Sequence, residues 1–388
     1  MEKRIKYGAF TTVAQSIRQF MQPALLYFAE NGYDITVGAQ YHEVEVSNYP
    51  KVFKYKALDI DRGFHLWKTI KNIFILYSFF KKEKFDIIEY GTENVSMCAS
   101  IAGWMAGVPV RIYDHWGARY VGYKGIARII SKTIERINAV FSTDVVQTSN
   151  LNLEMCVADG IYPRDKVQVI GYGGTVGADF SKFDKSRKSE WNSLFRNKWG
   201  IPDDAIIMGD VGFVRKDKGT NELLTAFRNI NDPRLWLVFI GEIYTPDAPD
   251  ADLLEWAKAS GRVVFTGKVM DVEHHIAAYD VLVHPSYREG FGMVIQEAGA
   301  MGIPYITTNI PGPKEIGIDG VTGILVEPKD AIALEEKMRY LLNNPNKIRE
   351  MSDAMFELTD ERYERSKMVK RLYEHRVQLL KKHNINRR

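Results

Sequence analysis

The sequence predicts an α/β chain: two doubly wound, Rossmann-like parallel-sheet domains in series, closed by a helical tail. Three observations carry this. Short apolar runs alternate with segments of helical period over most of the chain, the pattern of repeated βαβ units. The alternation lapses once, in the glycine-, serine- and charge-rich stretch "GYGGTVGADFSKFDKSRKSEWNSLF". Finally, 388 residues exceed what one hydrophobic core usually serves.

In the first half the expected strands are Ile5 to Phe10, Ile35 to Ala39, Ile87 to Tyr90, Val108 to Tyr113, Val145 to Thr148 and Val167 to Ile170. Between them lie helical segments at Ser16 to Asn31, His65 to Lys82, Val95 to Gly107, Ile126 to Asn138 and Asn150 to Gly160. The stretches "ENGYDITV" and "MAGVPVRI" each stop a helix at Gly or Pro before a new strand. The lapse near Gly174 to Asp184 marks the domain boundary. Strands resume at Ala205 to Phe213, Leu235 to Gly241, Val263 to Gly267, Val281 to Pro285 and Tyr305 to Thr308. Helices are expected at Asn221 to Asn229, Asp252 to Ser260 and Ala331 to Leu342, the last behind an N-capping Asp330. Beyond Asn346 the chain is polar, helical and strand-free.

Composition excludes several classes. With 45% apolar, 12% aromatic and 26% charged residues the chain has the make-up of a folded globular protein. A net charge of +3 is too small for bulk nucleic-acid binding, so no nucleic-acid partner is expected. The two cysteines, Cys98 and Cys156, offer neither a disulfide framework nor metal-ligand spacing, which suits buried thiols in a reducing cytoplasm. The N-terminus lacks a signal-peptide core. The most apolar helical stretch, "LWKTIKNIFILYSFFKKEKF", is broken by Lys68, Lys71 and Asn72 and falls short of a membrane span. It mixes aromatic and basic residues, as does "RYVGYKGIARIISK"; such segments suit a membrane interface or simple packing on the N-terminal sheet.

Ligands of doubly wound sheets bind at the carboxyl ends of the strands, and with two such sheets the groove between them is the expected site. In "IIMGDVGFVRKDKGTNELLTAF" a strand leads through Gly209 and Gly212, past Arg215, Lys216 and Lys218, to a helix start near Thr220. Cations beside free N–H groups make a seat for a diphosphate, or a solvated basic turn. It is not a P-loop. In "HPSYREGFGMVIQEAGAMGIP" Glu289 precedes a helix and Glu297 lies roughly two turns inside it. Gly290 and Gly292 would allow a tight turn that bares N–H groups. Two carboxylates for hydroxyls, with N–H groups for phosphate, suit a nucleotide-sugar; the alternative is a helix-capping Glu289 and a surface Glu297. In "YDHWGARY" His115 follows an apolar run and is expected to project from a loop, where an imidazole could bind a hydroxyl or serve as acid or base.

At "SYREGFGMVIQEAGAMGIPYITTNIPGPKEIGIDGVTGILVEPKD" the sequence resembles the retaining glycosyltransferases of family 4, above all those of the capsular and exopolysaccharide type. The resemblance rests on Glu289 and Glu297, on Pro311-Gly312 with Glu315, on "DGVTGILV", "DKGTNELLTAF" and "FTGKV". It implies a GT-B architecture: an acceptor domain over residues 1–178, a donor domain over 179–360, and a C-terminal helix, 361–388, packing toward the first. It further implies that Glu289 contacts the donor sugar and Glu297 the ribose. Gly290, Phe291, Gly292, Met293 and Val294 would meet sugar and diphosphate through their N–H groups, Lys218 would hold the diphosphate, and His115 would lie near the reacting carbon. His115, Glu289 and Lys218 are thus the expected catalytic set.

By the same resemblance the co-substrate is a nucleoside diphosphate sugar and no metal is expected; "DID" at Asp59 to Asp61 is only a lookalike of a metal motif. The acceptor would be a lipid-linked glycan or oligosaccharide, met by a cytoplasmic protein in peripheral contact with the inner membrane surface. One departure stands out: the family's arginine before this lysine is Phe213, leaving Arg215 as a candidate substitute. The Gly-Gly usual at the first strand's end is replaced by "AFTTVAQ". A nucleotide-sugar epimerase on the same plan and a non-catalytic sugar-nucleotide-binding relative, suggested by Phe213, are the competing readings. A dehydrogenase is disfavoured, because no Gly-x-Gly-x-x-Gly follows the first strand.

Overall fold

The computed structural model describes residues 4–40, 49–60 and 65–385; Asp61 of the "DID" stretch lies outside them. The chain forms two compact units, Met1–Val176 with Ser366–Arg388, and Gly177–Arg365.

Among the described residues the first unit is built on seven parallel strands: β1 (Ile5–Val13), β2 (Tyr33–Gln40), β3 (Lys54–Ala57), β4 (Ile87–Gly91), β5 (Val110–His115), β6 (Asp144–Gln147) and β7 (Val167–Val169). Their order is β3-β2-β1-β4-β5-β6-β7. The central strands are buried on both faces, which is why they read as unbroken apolar runs. One face carries a core of Tyr7, Phe28, Ile35, Val37 and Ile112, which the last helix, Arg365–Lys382, completes with Val369, Leu372, Leu379 and Leu380. The other packs Phe10, Ile88, Tyr90 and Tyr113 under the helices Leu66–Glu83 and Glu93–Ala106.

The second unit has six parallel strands, again among the described residues: β8 (Ile206–Val211), β9 (Leu235–Ile240), β10 (Val263–Phe265), β11 (Val281–His284), β12 (Tyr305–Thr308) and β13 (Gly323–Val326), in the order β10-β9-β8-β11-β12-β13. The direction of strand addition reverses between β8 and β11, and a sheet of this kind opens a crevice at the carboxyl ends of such a pair. Both sheets are therefore doubly wound and parallel, as expected.

The differences are local. The edge strands β3 and β13 were not foreseen. A single helix was expected from Ser16 to Asn31, and two are found, Ala14–Phe20 and Gln22–Glu30. Pro23 explains the break, since it lacks an N–H and its ring excludes the carbonyl one turn back, so it is accommodated in the first turn of a new helix. The lapse at the boundary itself contains a helix, Lys188–Trp199, held by Trp191 and Phe195 four residues apart on its buried side.

Candidate donor site in the second unit

The loop after β8 and the loop after β11 meet at the reversal point. Gly219, at φ +71°, brings the first loop against the second: a Cβ there would lie 2.1 Å from the carbonyl oxygen of Pro285. The helix Thr220–Ile230 starts directly after it, and Thr220 Oγ1 donates to the carbonyl of Arg215 at 2.9 Å. Lys218 is thereby held against Glu289, to which its Nζ donates directly. The second loop turns at Gly292, φ +110°, and enters the helix Met293–Ala300. Gly312, which must be glycine because Gly290 O and Phe291 Cα each lie 2.9 Å from where a Cβ would sit, backs this turn. Glu315 accepts from the Gly312 N–H at 3.2 Å and caps the short helix Pro313–Ile316. The Pro-Gly and glutamate of the motif thus brace the loop that carries Glu289.

Glu289 is not left with an unpaired charge. Besides Lys218 it meets His284, whose Nε2 lies 2.9 Å from its Oε1, while His284 Nδ1 lies 2.7 Å from Asp210 Oδ1. Burial would raise the Glu289 carboxyl, but the Lys218 charge and then His284 overcome it and hold the group well below the usual carboxylate range. Glu297 is different. Burial pushes it up to about 7, against Lys182 and Arg365 and with a small push from Glu273. The two motif carboxylates sit in opposite electrostatic settings, one fixed as an anion and one poised near neutrality.

Of the three loop cations only Lys218 faces Glu289. Arg215 pairs with Asp217, Nη2 donating to Oδ2 at 2.7 Å, and lies over the Tyr244 ring; Lys216 pairs with Asp250 at 2.7 Å. Phe213, where the resemblance implies an arginine, stands 48% exposed against Tyr244, ring centroids 5.4 Å apart. These two rings, Phe265 and the turn at Gly241 line an open depression of about 520 Å³ at the carboxyl ends of β8, β9 and β10. Of the expected backbone contacts, Phe291 turns its ring into the core against Tyr363, while Met293 and Val294 are partly exposed. Gly209 makes room for Tyr279, whose ring would collide with a Cβ there and whose hydroxyl donates to the carbonyls of Asp210 and Val238.

His115 requires a correction. It is the last residue of β5, not a loop residue, and its side chain is 1% exposed within the first unit. Nδ1 lies 3.2 Å from Tyr162 Oη and from Gln147 Nε2, and Nε2 lies 3.7 Å from Glu135, whose carboxyl burial pushes up to about 8. Strand alternation places it on the face of Arg111 and Tyr113, the one under the helix Glu93–Ala106. The residue that the sequence reading missed is His284. Both cysteines are buried and free, and among the described residues no group of three or more His, Cys, Asp or Glu could hold a metal ion.

Residues 192–357 match the family model described as glycosyl transferases group 1. The chain carries a group 1 glycosyltransferase domain. A capsular polysaccharide biosynthesis glycosyltransferase of Staphylococcus aureus is 29% identical over 290 residues, 74% of this chain and 75% of that one. A UDP-Gal:α-D-GlcNAc-diphosphoundecaprenol α-1,3-galactosyltransferase of Escherichia coli is 25% identical, covering 69% of each. The crystal structure of a glycosyltransferase from Rickettsia africae superposes with a TM-score of 0.80 at 17% identity, over 98% of this chain and 99% of its own. The fold is GT-B: two parallel-sheet α/β domains with a helical C-terminal segment. The matched glycosyltransferase domain contains Lys218, His284, Glu289 and Glu297, the residues that define the site above.

Proposed function

We propose that the chain is a retaining hexosyltransferase that moves a sugar from a nucleoside diphosphate donor to the hydroxyl of a lipid-linked glycan, in surface-polysaccharide synthesis. The observation that carries the reading is the Lys218–Glu289 pair, set at the reversal point of the sheet in front of the helix Met293–Ala300. An ionised Glu289 accepts from sugar hydroxyls, Glu297 accepts from the ribose diol, and the depression beside Phe213 and Tyr244 receives the base. Negative charge grows on the departing diphosphate as the glycosidic bond breaks, and Lys218 with the N–H groups of residues 290–294 neutralises it. Arg215 is engaged with Asp217, so Lys218 is the principal cation of this step. The acceptor reading follows the printed activity of the Escherichia coli relative.

Peripheral membrane contact belongs to the same proposal. Among the described residues no helix is long and apolar enough to cross a membrane. The helix Leu66–Glu83, however, exposes Leu66, Phe74 and 83% of Trp67, and the helix Gly125–Phe141 exposes Ile129 and 76% of Ile126. Both flank the helix Glu93–Ala106, and both begin at the carboxyl edge of the first sheet beside the exposed Lys71 and Lys124. An apolar rim with adjacent cations suits an anionic lipid surface.

A thermal-shift screen over uridine, guanosine and adenosine diphosphate sugars, followed by NMR of the product's anomeric configuration with and without acceptor, tests the reaction. Lys218→Ala and Glu297→Ala are expected to cripple transfer in folded protein, and near-normal turnover in either would sink the assignment. Donor binding without turnover would instead favour the non-catalytic reading that Phe213 suggests. Flotation with vesicles containing anionic lipid tests the membrane contact; no binding at low salt argues against it.

A further inference from the structure

His284 closes β11 beside the end of β8, and its ring is only 2% exposed. Each ring nitrogen faces a different carboxylate, Nδ1 toward Asp210 and Nε2 toward Glu289. An ionised carboxylate only accepts, and a neutral imidazole has a single N–H to give. A ring that serves both carboxylates is therefore an imidazolium. Two cations, Lys218 and His284, meet two carboxylates, Asp210 and Glu289, and Lys218 does so through Glu289.

The proposed reaction disturbs that contact, because a diphosphate in the site competes for Lys218. Glu289 would then lie beside incoming negative charge, with the His284 ring still on its Oε1. We infer that His284 is a positioning residue of the donor site: anchored by Asp210, it keeps Glu289 ionised and in place while Lys218 passes to the diphosphate. The inference rests on the donor reading above. It also accounts for two residues that this reading does not use, a buried aspartate and histidine at the ends of the two strands where the sheet reverses.

The electrostatics agree. Burial would lower the imidazole, but Asp210 and then Glu289 outweigh it and push the group up to about 9. Among the described residues the charged groups that face the ring are Asp210 from β8 and Glu289 from the loop after β11, with Lys218 behind Glu289; β12 presents the hydroxyl of Thr307, which donates to the His284 carbonyl at 2.8 Å. A raised histidine contributes fully below its unfolded value and loses that contribution as pH rises through about 9, so the positive charge persists across the neutral range. Without Asp210 the burial cost is opposed by Glu289 but no longer by its larger partner, and the proton is expected to leave at a lower pH.

The test uses the full-length chain and three variants, Asp210→Asn, His284→Gln and the double substitution, with folding checked by circular dichroism. Ring NMR of His284 is expected to show it protonated at pH 8 in the parent and neutral in Asp210→Asn. This arm is independent of any donor. Binding of UDP-glucose, whose diphosphate does not titrate in this range, is then measured by calorimetry at pH 6 and pH 8. The parent's own change between the two, to which Glu297 contributes, is the reference for each variant. Asp210→Asn should bind at least about 10-fold more weakly at pH 8 and recover to within about 3-fold at pH 6, whereas His284→Gln and the double variant should be weak at both. A neutral ring in the parent at pH 7.5, or an Asp210→Asn profile parallel to the parent's, overturns the inference. A ring that titrates as expected in a parent that binds none of the screened nucleoside diphosphate sugars overturns the donor reading, and the positioning role with it.

Discussion

Arg376 reaches Glu89 in the core of the first unit, Nη2 donating to Oε1 at 2.7 Å and Nε to Oε2 at 3.4 Å. Asp114 stands 3.7 Å away, its carboxyl raised well above its ordinary range by burial first and then by Glu89. One guanidinium thus serves two buried carboxyl groups. Removing it as Arg376→Met strands Glu89, and unfolding in urea should show a loss of about 3–5 kcal/mol. Arg376→Lys keeps the charge without the fork and should lose less.

Glu297 makes the second unit pH-sensitive. Its folded value, about 7, lies above the ordinary 4.5, so its contribution is intact below about 4.5 and is lost as pH rises through 7. Glu297→Gln should therefore stabilise the protein at pH 8 by roughly 1–3 kcal/mol and leave it little changed at pH 4.5. Denaturation midpoints at the two pH values read the difference; an equal effect at both would refute it.

Two glycines near the depression distinguish backbone crowding from backbone strain. At Gly241, φ +145°, a Cβ would lie 1.9 Å from the carbonyl oxygen of Gly212; at Gly267, φ +70°, it would meet nothing within 4 Å. Gly267→Ala should cost about 1–2 kcal/mol, the ordinary charge for a left-handed alanine. Gly241→Ala must also push the neighbouring loop at Gly212 away and should cost about 3 kcal/mol or more. Thermal melts of the pair measure the contrast.

Phe213 stands 48% exposed beside the depression lined by Tyr244 and Phe265. Phe213→Ala should weaken UDP-glucose binding by about 3- to 10-fold, the range of a lost aromatic contact, without lowering the melting temperature. Phe213→Arg should tighten it by returning charge to the diphosphate seat. Calorimetry on both variants checks the pair of effects.

The central strands were legible because sheets buried on both faces impose apolar runs. The edges were not. Strand β3 reads "KYKA", with its two lysines and little apolar signal, and β13 is four residues behind a turn. In the site, Glu289, Glu297 and Lys218 could be read from motif spacing, since each lies in a strand–loop–helix unit of regular order. His284 could not, because the Asp210 that gives it meaning is 74 residues away and arrives by a crossover to the neighbouring strand. His115 was misplaced because it continues the alternation of Arg111 and Tyr113 on a strand covered on both faces, and so is buried instead of projecting from a loop.

The division of the chain has a consequence for synthesis. The second unit is one continuous stretch, Gly177–Arg365, but the first needs Val369, Leu372, Arg376, Leu379 and Leu380 from the last helix. On a ribosome residues 4–176 therefore wait, their sheet lacking some of one covering layer, until the helix Arg365–Lys382 has been made. The later-made unit can finish earlier. A stop between residues 365 and 369 would leave the second unit whole and the first without that covering layer, a natural substrate for chaperones and proteases.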